Sequence, residues 1–218
     1  EPVAPKGDTR DTGNPPLPGG RSPNCEGSLE GEGLSATIQR CIALERQIRT
    51  SELWRRMAAR IMLTPPTPDF LNSLMDEALH EAKHAADAGE VPVGAVISHA
   101  GTIIGRGHNQ TEALSTVSAH AEIIAINQAS QNLGGWRLSE CILCVTLEPC
   151  TMCLGAIRLA RIPTLVFGAG DSRQGATGSL YDLSQDARLG DPIRVIRNIK
   201  QTECEEILSQ FFKRLRVS

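Results

Sequence analysis

Two short runs carry residue types that can do chemistry together: His120-Ala121-Glu122, and Pro149-Cys150-Thr151-Met152-Cys153. One histidine and two cysteines are three zinc ligands. They leave the fourth tetrahedral position open, as in catalytic rather than closed structural sites. Glu122, two positions after the histidine, is placed to move protons rather than to bind metal. Proline suits the entry to a helix, so Cys150 and Cys153 are expected in its first turn, one turn apart and pointing the same way. Unpaired N–H groups and the positive dipole end there favour thiolates, the form that binds metal. His120 is expected at the start of a second helix, bringing the third ligand. One zinc ion per chain held this way lowers the pKa of water to about 7, and Glu122 can take up the proton released.

Three other patterns compete with this reading. Cys141-Ile142-Leu143-Cys144 is a second C-x-x-C that would suggest a four-cysteine site. The run reads as a strand, however, where positions three apart face opposite sides, so buried core cysteines are the expectation. His80-Glu81-Ala82-Lys83-His84 matches the metalloprotease pattern H-E-x-x-H. At about 100° per residue, its two histidines lie opposite the apolar stripe of their helix, on the solvated face. Gly170 to Thr177 has the glycine spacing of a phosphate loop but carries Ala176 where the lysine belongs, so no nucleotide cofactor is expected. A loop beside a binding pocket is the better reading.

The elements that must position these residues are legible from periodicity and punctuation. Asp69 can cap a helix reaching about Ala88, with Leu71, Leu74, Met75, Ala78, Ala82 and Ala85 on one face and Gly89 ending it. Val93 to Ser98 and Thr102 to Gly107 read as strands joined by a turn at Ala100-Gly101. A helix from near His120 to Leu133, a strand from Cys141 to Leu147 and a helix from Cys150 to about Ala160 come next. Thr164 to Ala169 and Ile193 to Arg197 supply strands, and Thr202 to Val217 a last helix, with Thr202 and Glu205 spaced as a capping box. Strands alternating with helices predict a sheet covered on both faces.

Composition frames the domain. The chain has 218 residues, 40% of them hydrophobic but only 3% aromatic, so its core must be built from Ala, Leu, Ile and Val. A net charge of −3 excludes a wholly basic surface, though not a local patch for RNA. Seven cysteines, an odd number, and no apolar stretch of signal-peptide or membrane-spanning character point to a reducing, cytoplasmic compartment without membrane contact. Residues 1–33 hold six prolines and seven glycines and are expected to be disordered. Residues 34–63 carry apolar residues at helical spacing and six arginines, and Pro65-Pro66 separates this arm from the compact domain. The boundaries are therefore an extension over 1–68, with an Arg-rich helix at 34–63, and a zinc-dependent domain over 69–218. The first methionine is Met57, and a chain starting at Met62 is expected to retain the whole domain.

The spacing H-x-E…P-C-x-x-C is the signature of zinc nucleobase deaminases. The stretch from Asp69 to Arg216 resembles the tRNA-specific adenosine deaminases, the TadA family, well beyond that signature. Glu90-Val91-Pro92-Val93-Gly94-Ala95-Val96, Asn109, Thr146-Leu147-Glu148-Pro149-Cys150, Phe167 to Asp171 with Gly175 to Ser179, and the helix from Glu203 to Phe212 all fit its pattern. The signature alone is shared with guanine, cytosine and cytidine deaminases. The Phe167–Ser179 segment and the last helix favour adenosine in RNA.

The resemblance implies a cytidine deaminase-like three-layer α/β/α sandwich with a central mixed sheet, a homodimer, and conversion of the wobble adenosine of a tRNA anticodon stem-loop to inosine. Carried over, His120, Cys150 and Cys153 bind zinc, and Glu122 shuttles protons to the ring nitrogen and the departing amine. Asn109 would hydrogen-bond the flipped nucleoside, Val93 would pack on the base, and Asp171 would lie near the sugar. Read by itself, Asn109 could equally bond the backbone of its own turn. Lys213, Arg214 and Arg216 with Arg173 read either as an RNA-facing patch or as solvated charges. The chain departs from the family at Thr116-Val117-Ser118, in place of Asp-Pro-Thr, and at His108, where many members have Trp. A guanine or cytosine deaminase is the alternative among enzymes. A zinc-stabilised RNA-binding module without activity is the alternative from another class, and Glu122 argues against it.

Overall fold

The computed structural model describes residues 66–216. The expectations for residues 1–33 and 34–63 lie outside the described residues. Helix α1 (Pro68–Asp87) is followed by β1 (Gly94–His99), β2 (Thr102–His108), α2 (Ala121–Leu133), β3 (Cys141–Leu147), α3 (Thr151–Leu159), β4 (Thr164–Ala169), a single 3-10 turn (Ala187–Leu189), β5 (Arg194–Ile196) and α4 (Gln201–Leu215). The strands form one sheet in the order β2-β1-β3-β4-β5. β1 pairs antiparallel with β2 and β3, whereas β3, β4 and β5 run parallel. A parallel neighbour needs a crossover, and α3 provides the one between β3 and β4.

Alternation along the strands builds two cores. Ala95, Ile97, Leu143, Val145, Leu165 and Phe167 face α2 and α3, where Ala121, Ala125, Ala129, Leu154 and Ile157 meet them. Val96, Cys144 and Val166, one residue out of phase, face α1 and α4 through Leu74, Met75, Ala78 and Cys204. The result is the three-layer α/β/α sandwich with a mixed sheet. Small residues let the layers approach closely: a Cβ on Gly94 would run into Ala78 O of α1, and one on Gly107 into Ala121 O of α2.

The hairpin between β1 and β2 turns at Ala100 and Gly101, both with positive φ (49° and 83°), as Ala-Gly punctuation predicts. Helix boundaries shift by a residue or two from their sequence-based positions. Thr67, not Asp69, caps α1: its Oγ1 accepts from Phe70 N, and Pro68 takes the first helical position. The capping box expected for Thr202 and Glu205 does not form, because α4 starts earlier, from Lys200 in the left-handed region (φ 49°). The segment before β5 has little regular structure and is held by Arg158 of α3, which donates to the carbonyls of Leu183, Ser184, Leu189 and Asp191.

Candidate active site

Chain topology puts the site at one end of the sheet. β3 ends at Leu147 and β4 at Ala169, so the residues after both parallel strands emerge side by side, next to the antiparallel β1. Ligands in open α/β sheets collect in crevices outside such carboxyl ends. A cavity of about 800 Å³ opens there, lined by Val93, Asn109, His120, Glu122, Cys150 and Asp171 among others. Residues singled out in the sequence, from position 93 to position 171, thus line one cavity.

His120 and Cys150 are the N-caps of α2 and α3, one residue earlier than the first turn itself, and neither side chain makes a capping hydrogen bond. Cys153 lies in the first turn of α3 and is fully buried. His120 Nδ1 lies 3.4 Å from Cys153 Sγ and 3.8 Å from Cys150 Sγ, and the three donor atoms lie within 4.8 Å of one another. Zn–N and Zn–S bonds of about 2.0–2.1 and 2.3 Å at a tetrahedral angle require N···S edges of about 3.6 Å. The donor spacing therefore fits a tetrahedral zinc, and His120 and Cys150 line the cavity.

Their acidities fit it as well. A hydrogen bond from Cys153, together with one from His120, holds the Cys150 thiol down to about 4 against an ordinary 9.0. The same bond to Cys150, with burial, pushes Cys153 up, and the bond to Cys150 raises His120. One thiol ionises at the other's expense, a conflict that a shared dication removes. Glu122 is 4% exposed, and its burial raises the carboxyl pKa from 4.5. A buried carboxyl group shifted upward beside the donor set is suited to accept and release protons.

Asn109 and Val93 are fastened to one another and to α2. Asn109 N donates to Val93 O (3.1 Å), and Asn109 Oδ1 accepts from Ala121 N (3.0 Å). The side chain thus partners a helix end across the loop, and its amide nitrogen lies on the other side of the carboxamide. Asp171 Oδ1 accepts from Arg173 N (2.8 Å) and Gln174 N (3.3 Å), so this carboxylate shapes its own turn while lining the cavity. Arg173 and Arg216 also line the cavity, as do Phe211 and Phe212 of α4.

Two buried carboxylates had no role assigned from the sequence. Glu90 accepts from Glu112 N (3.3 Å) and Ala113 N (2.8 Å), pinning the 110–118 loop that carries Thr116-Val117-Ser118. Glu148 accepts from Asp171 N, Thr177 N, Thr177 Oγ1 and Ser179 N at 2.9 to 3.1 Å. Burial pulls the Glu148 pKa up, but these hydrogen bonds outweigh it and the net shift is downward. The glycine-spaced segment after β4 is therefore a loop wrapped on a carboxylate, and Ala176 N donates to Pro149 O (3.0 Å) to tie it to the cysteine turn. The trace of these two carboxylates in the sequence is only an acidic residue directly beside an apolar strand, in Glu90-Val91-Pro92 and Glu148-Pro149-Cys150, which does not name the partners. The four-cysteine alternative fails on geometry: Cys141 belongs to the core under α2 and α3, Cys144 to the core under α1 and α4.

Comparison with known proteins agrees with this architecture. The family model of MafB19-like deaminases matches residues 71–216. The tRNA-specific adenosine deaminase of Bacillus subtilis (strain 168) is 46% identical over 142 residues, 65% of this chain and 88% of that protein. The chloroplastic tRNA(adenine(34)) deaminase of Arabidopsis thaliana is 42% identical over 82% of this chain, which spans 15% of that longer protein. A solved structure from a study of A-to-I editing by tRNA:A34 deaminases at the wobble position is 42% identical, with a TM-score of 0.61, covering 62% of this chain and 99% of its own. Signature, fold and identity along nearly the full length of the bacterial relative converge, and the chain belongs to the tRNA-specific adenosine deaminase family.

Proposed function

We propose that this chain hydrolyses the 6-amino group of adenosine in tRNA, giving inosine and ammonia, and that the substrate is the wobble adenosine of an anticodon stem-loop. The observation that carries the reading is the placement of buried Glu122 against the His120/Cys150/Cys153 donor set on the wall of one cavity. Those three residues would hold one zinc ion, which when bound supplies a Lewis acid that makes water acidic near neutral pH. Glu122 accepts the proton of the attacking water and delivers it to N1 of the purine, then takes the proton of the new C6 hydroxyl and delivers it to the departing amine. Water adds at C6, the C6–N bond breaks, and one water is consumed per ammonia released.

The other wall orients the base. Asn109, whose Oδ1 is engaged by Ala121 N, presents its amide nitrogen as a donor to the nucleoside. Val93, held against Asn109 through its backbone, offers an apolar surface for the ring. Asp171, which lines the cavity, is the residue we assign to lie near the sugar of a base turned out of its stack. Arg173 and Arg216 at the cavity supply positive charge for flanking phosphates. A homodimer suits this reading, and the reduced thiols of Cys141, Cys144 and Cys204 suit a reducing cytoplasm. Among the described residues, no helix is long and apolar enough to cross a membrane.

The test is incubation of the protein with an anticodon stem-loop bearing a wobble adenosine, with free guanine and cytosine in parallel. Inosine is expected in the RNA. Ammonia from a free base, with no inosine in the RNA, overturns the proposal.

A further inference from the structure

A second cluster of metal-ligating side chains lies away from the cavity, on the face of α1 that carries the H-E-x-x-H run. His80 and His84 are one turn apart, with ring centroids 4.4 Å from each other. One donor atom from each of His80, Glu81 and His84 lies within 4.8 Å of the others. His108, the last residue of β2, joins them from the sheet: its Nδ1 is 3.0 Å from Glu81 Oε2, and its ring centroid is 5.8 Å from that of His84. Neither the H-E-x-x-H spacing nor the deaminase chemistry calls for His108 at this place.

The packing explains why these side chains converge. Gly94 has no Cβ, so α1 lies close on β1 with the Cβ of Glu81 over the glycine. The stem of Glu81 is thereby buried, leaving the residue 8% exposed, and its carboxylate emerges at the end of β2 beside His108. Arg106 stands on the other side of that carboxylate, 3.9 Å from Oε1, and is itself paired with Glu77 at 2.7 Å. Oε2 is thus the oxygen turned to the imidazoles, 3.8 Å from His84 Nδ1. A single ion pair would need one histidine. The imidazoles of His84 and His108 meet at Oε2, and His80 lies beside them, making a nitrogen-rich donor set.

We propose that His80, Glu81, His84 and His108 form a second divalent transition-metal site, of the imidazole-and-carboxylate class that takes Zn²⁺, Ni²⁺ or Cu²⁺ and disfavours Mg²⁺ and Ca²⁺. Tetrahedral coordination by nitrogen and oxygen needs donor edges of about 3.4 Å, so binding would require the exposed imidazoles of His80 and His84 to rotate from their present spacing. Glu81 is a ligand in this set, so the general base of an H-E-x-x-H protease is missing, and the site is one of binding rather than peptide hydrolysis. Its metal would tie α1 to the end of β2 one residue before Asn109, clamping the strand that leads to the cavity.

The experiment titrates the full-length chain, freed of metal, with Zn²⁺ alone and with Ni²⁺ alone, reading stoichiometry by calorimetry and metal analysis. The wild-type chain should bind two zinc equivalents, and Cys150→Ser should keep one. In both backgrounds His80→Ala, His84→Ala and His108→Ala should weaken the second site by at least the about 10–100-fold that even outer partners of ligands contribute. All three histidines lie outside the cavity, so loss of the second equivalent should leave the first in place. One equivalent in the wild type, or unchanged affinity in any of the three histidine variants, overturns the four-residue site. Should Cys150→Ser be insoluble, the drop from two equivalents to one in the His80→Ala/His84→Ala double variant is decisive by itself.

Discussion

Glu122 and Cys150 differ in what their loss should cost. Glu122 lies in the first turn of α2, buried, two residues from the donor His120 but outside the donor set. A positioned acid or base contributes about 10²–10⁴-fold, and one carboxylate serves several proton transfers here. Glu122→Ala should therefore lower kcat by at least that factor while metal content stays near that of the wild type. Cys150→Ser removes a donor and should abolish metal binding at the cavity. Cys141→Ser should not, because its thiol is buried in the core beneath α2 and α3. Metal analysis and single-turnover deamination of the three variants check this together, and metal loss in Cys141→Ser would revive a cysteine-rich site.

At the scale of elements, α4 is sealed to the sheet through a thiol. Cys204 Sγ sits 3.7 Å from Met75 Sδ of α1, over Gly168 of β4, where a Cβ would collide with it. Burial, with the negative charge of Glu203 beside it, pushes this thiol up from 9.0 to about 12, and burial likewise raises Cys144 beneath it. A folded-state pKa above the unfolded one means that stability is fully present below pH 9.0 and is lost as pH climbs toward about 12. The loss is bounded by about 1.4 kcal/mol per pH unit for one such group, and is smaller where solvent screens it. Urea unfolding across that window should show stability falling with pH in the wild type and a shallower fall in Cys204→Ala. Parallel slopes would mean that the thiol is not buried against α1. Because Phe211 and Phe212 on the same helix line the cavity, the seating of α4 also bears on substrate entry.

For the whole molecule, we propose that the catalytic domain, whose first helix begins at Pro68 and not at 69, folds without the residues before Met62. Its first helix carries its own cap in Thr67 and Pro68. A chain starting at Met62 should keep its metal, show the proposed homodimer by light scattering, and deaminate saturating stem-loop RNA at nearly the full rate. The six arginines of residues 34–63 could add phosphate contacts, seen as tighter and more salt-dependent binding by the full chain. RNA affinity at two salt concentrations for both chains measures this. An insoluble or inactive short form places the boundary further upstream.

Whatever depends on neighbours along the chain was legible in the order of residues. Period-2 and period-3.6 patterning located the strands and α-helices of the described residues to within a few positions, and H-x-E with P-C-x-x-C named the donors and the acid/base by type and spacing. Phase along a strand was enough to separate Cys141 from Cys144. Partners distant in the chain became visible only in the folded molecule. Glu90 and Glu148 read as ordinary acidic residues until their carboxylates are seen bonded to backbone N–H groups 22 to 31 positions away, because such a bond leaves no periodic trace. Glu81 belongs to a helix whose histidines face solvent, yet close approach of α1 at Gly94 buries its stem and brings it to His108. Local spacing could place His80 and His84 on one face, but not supply the residue from another element that meets them. That meeting is set by how closely two layers pack, a property of the folded core and not of any single segment.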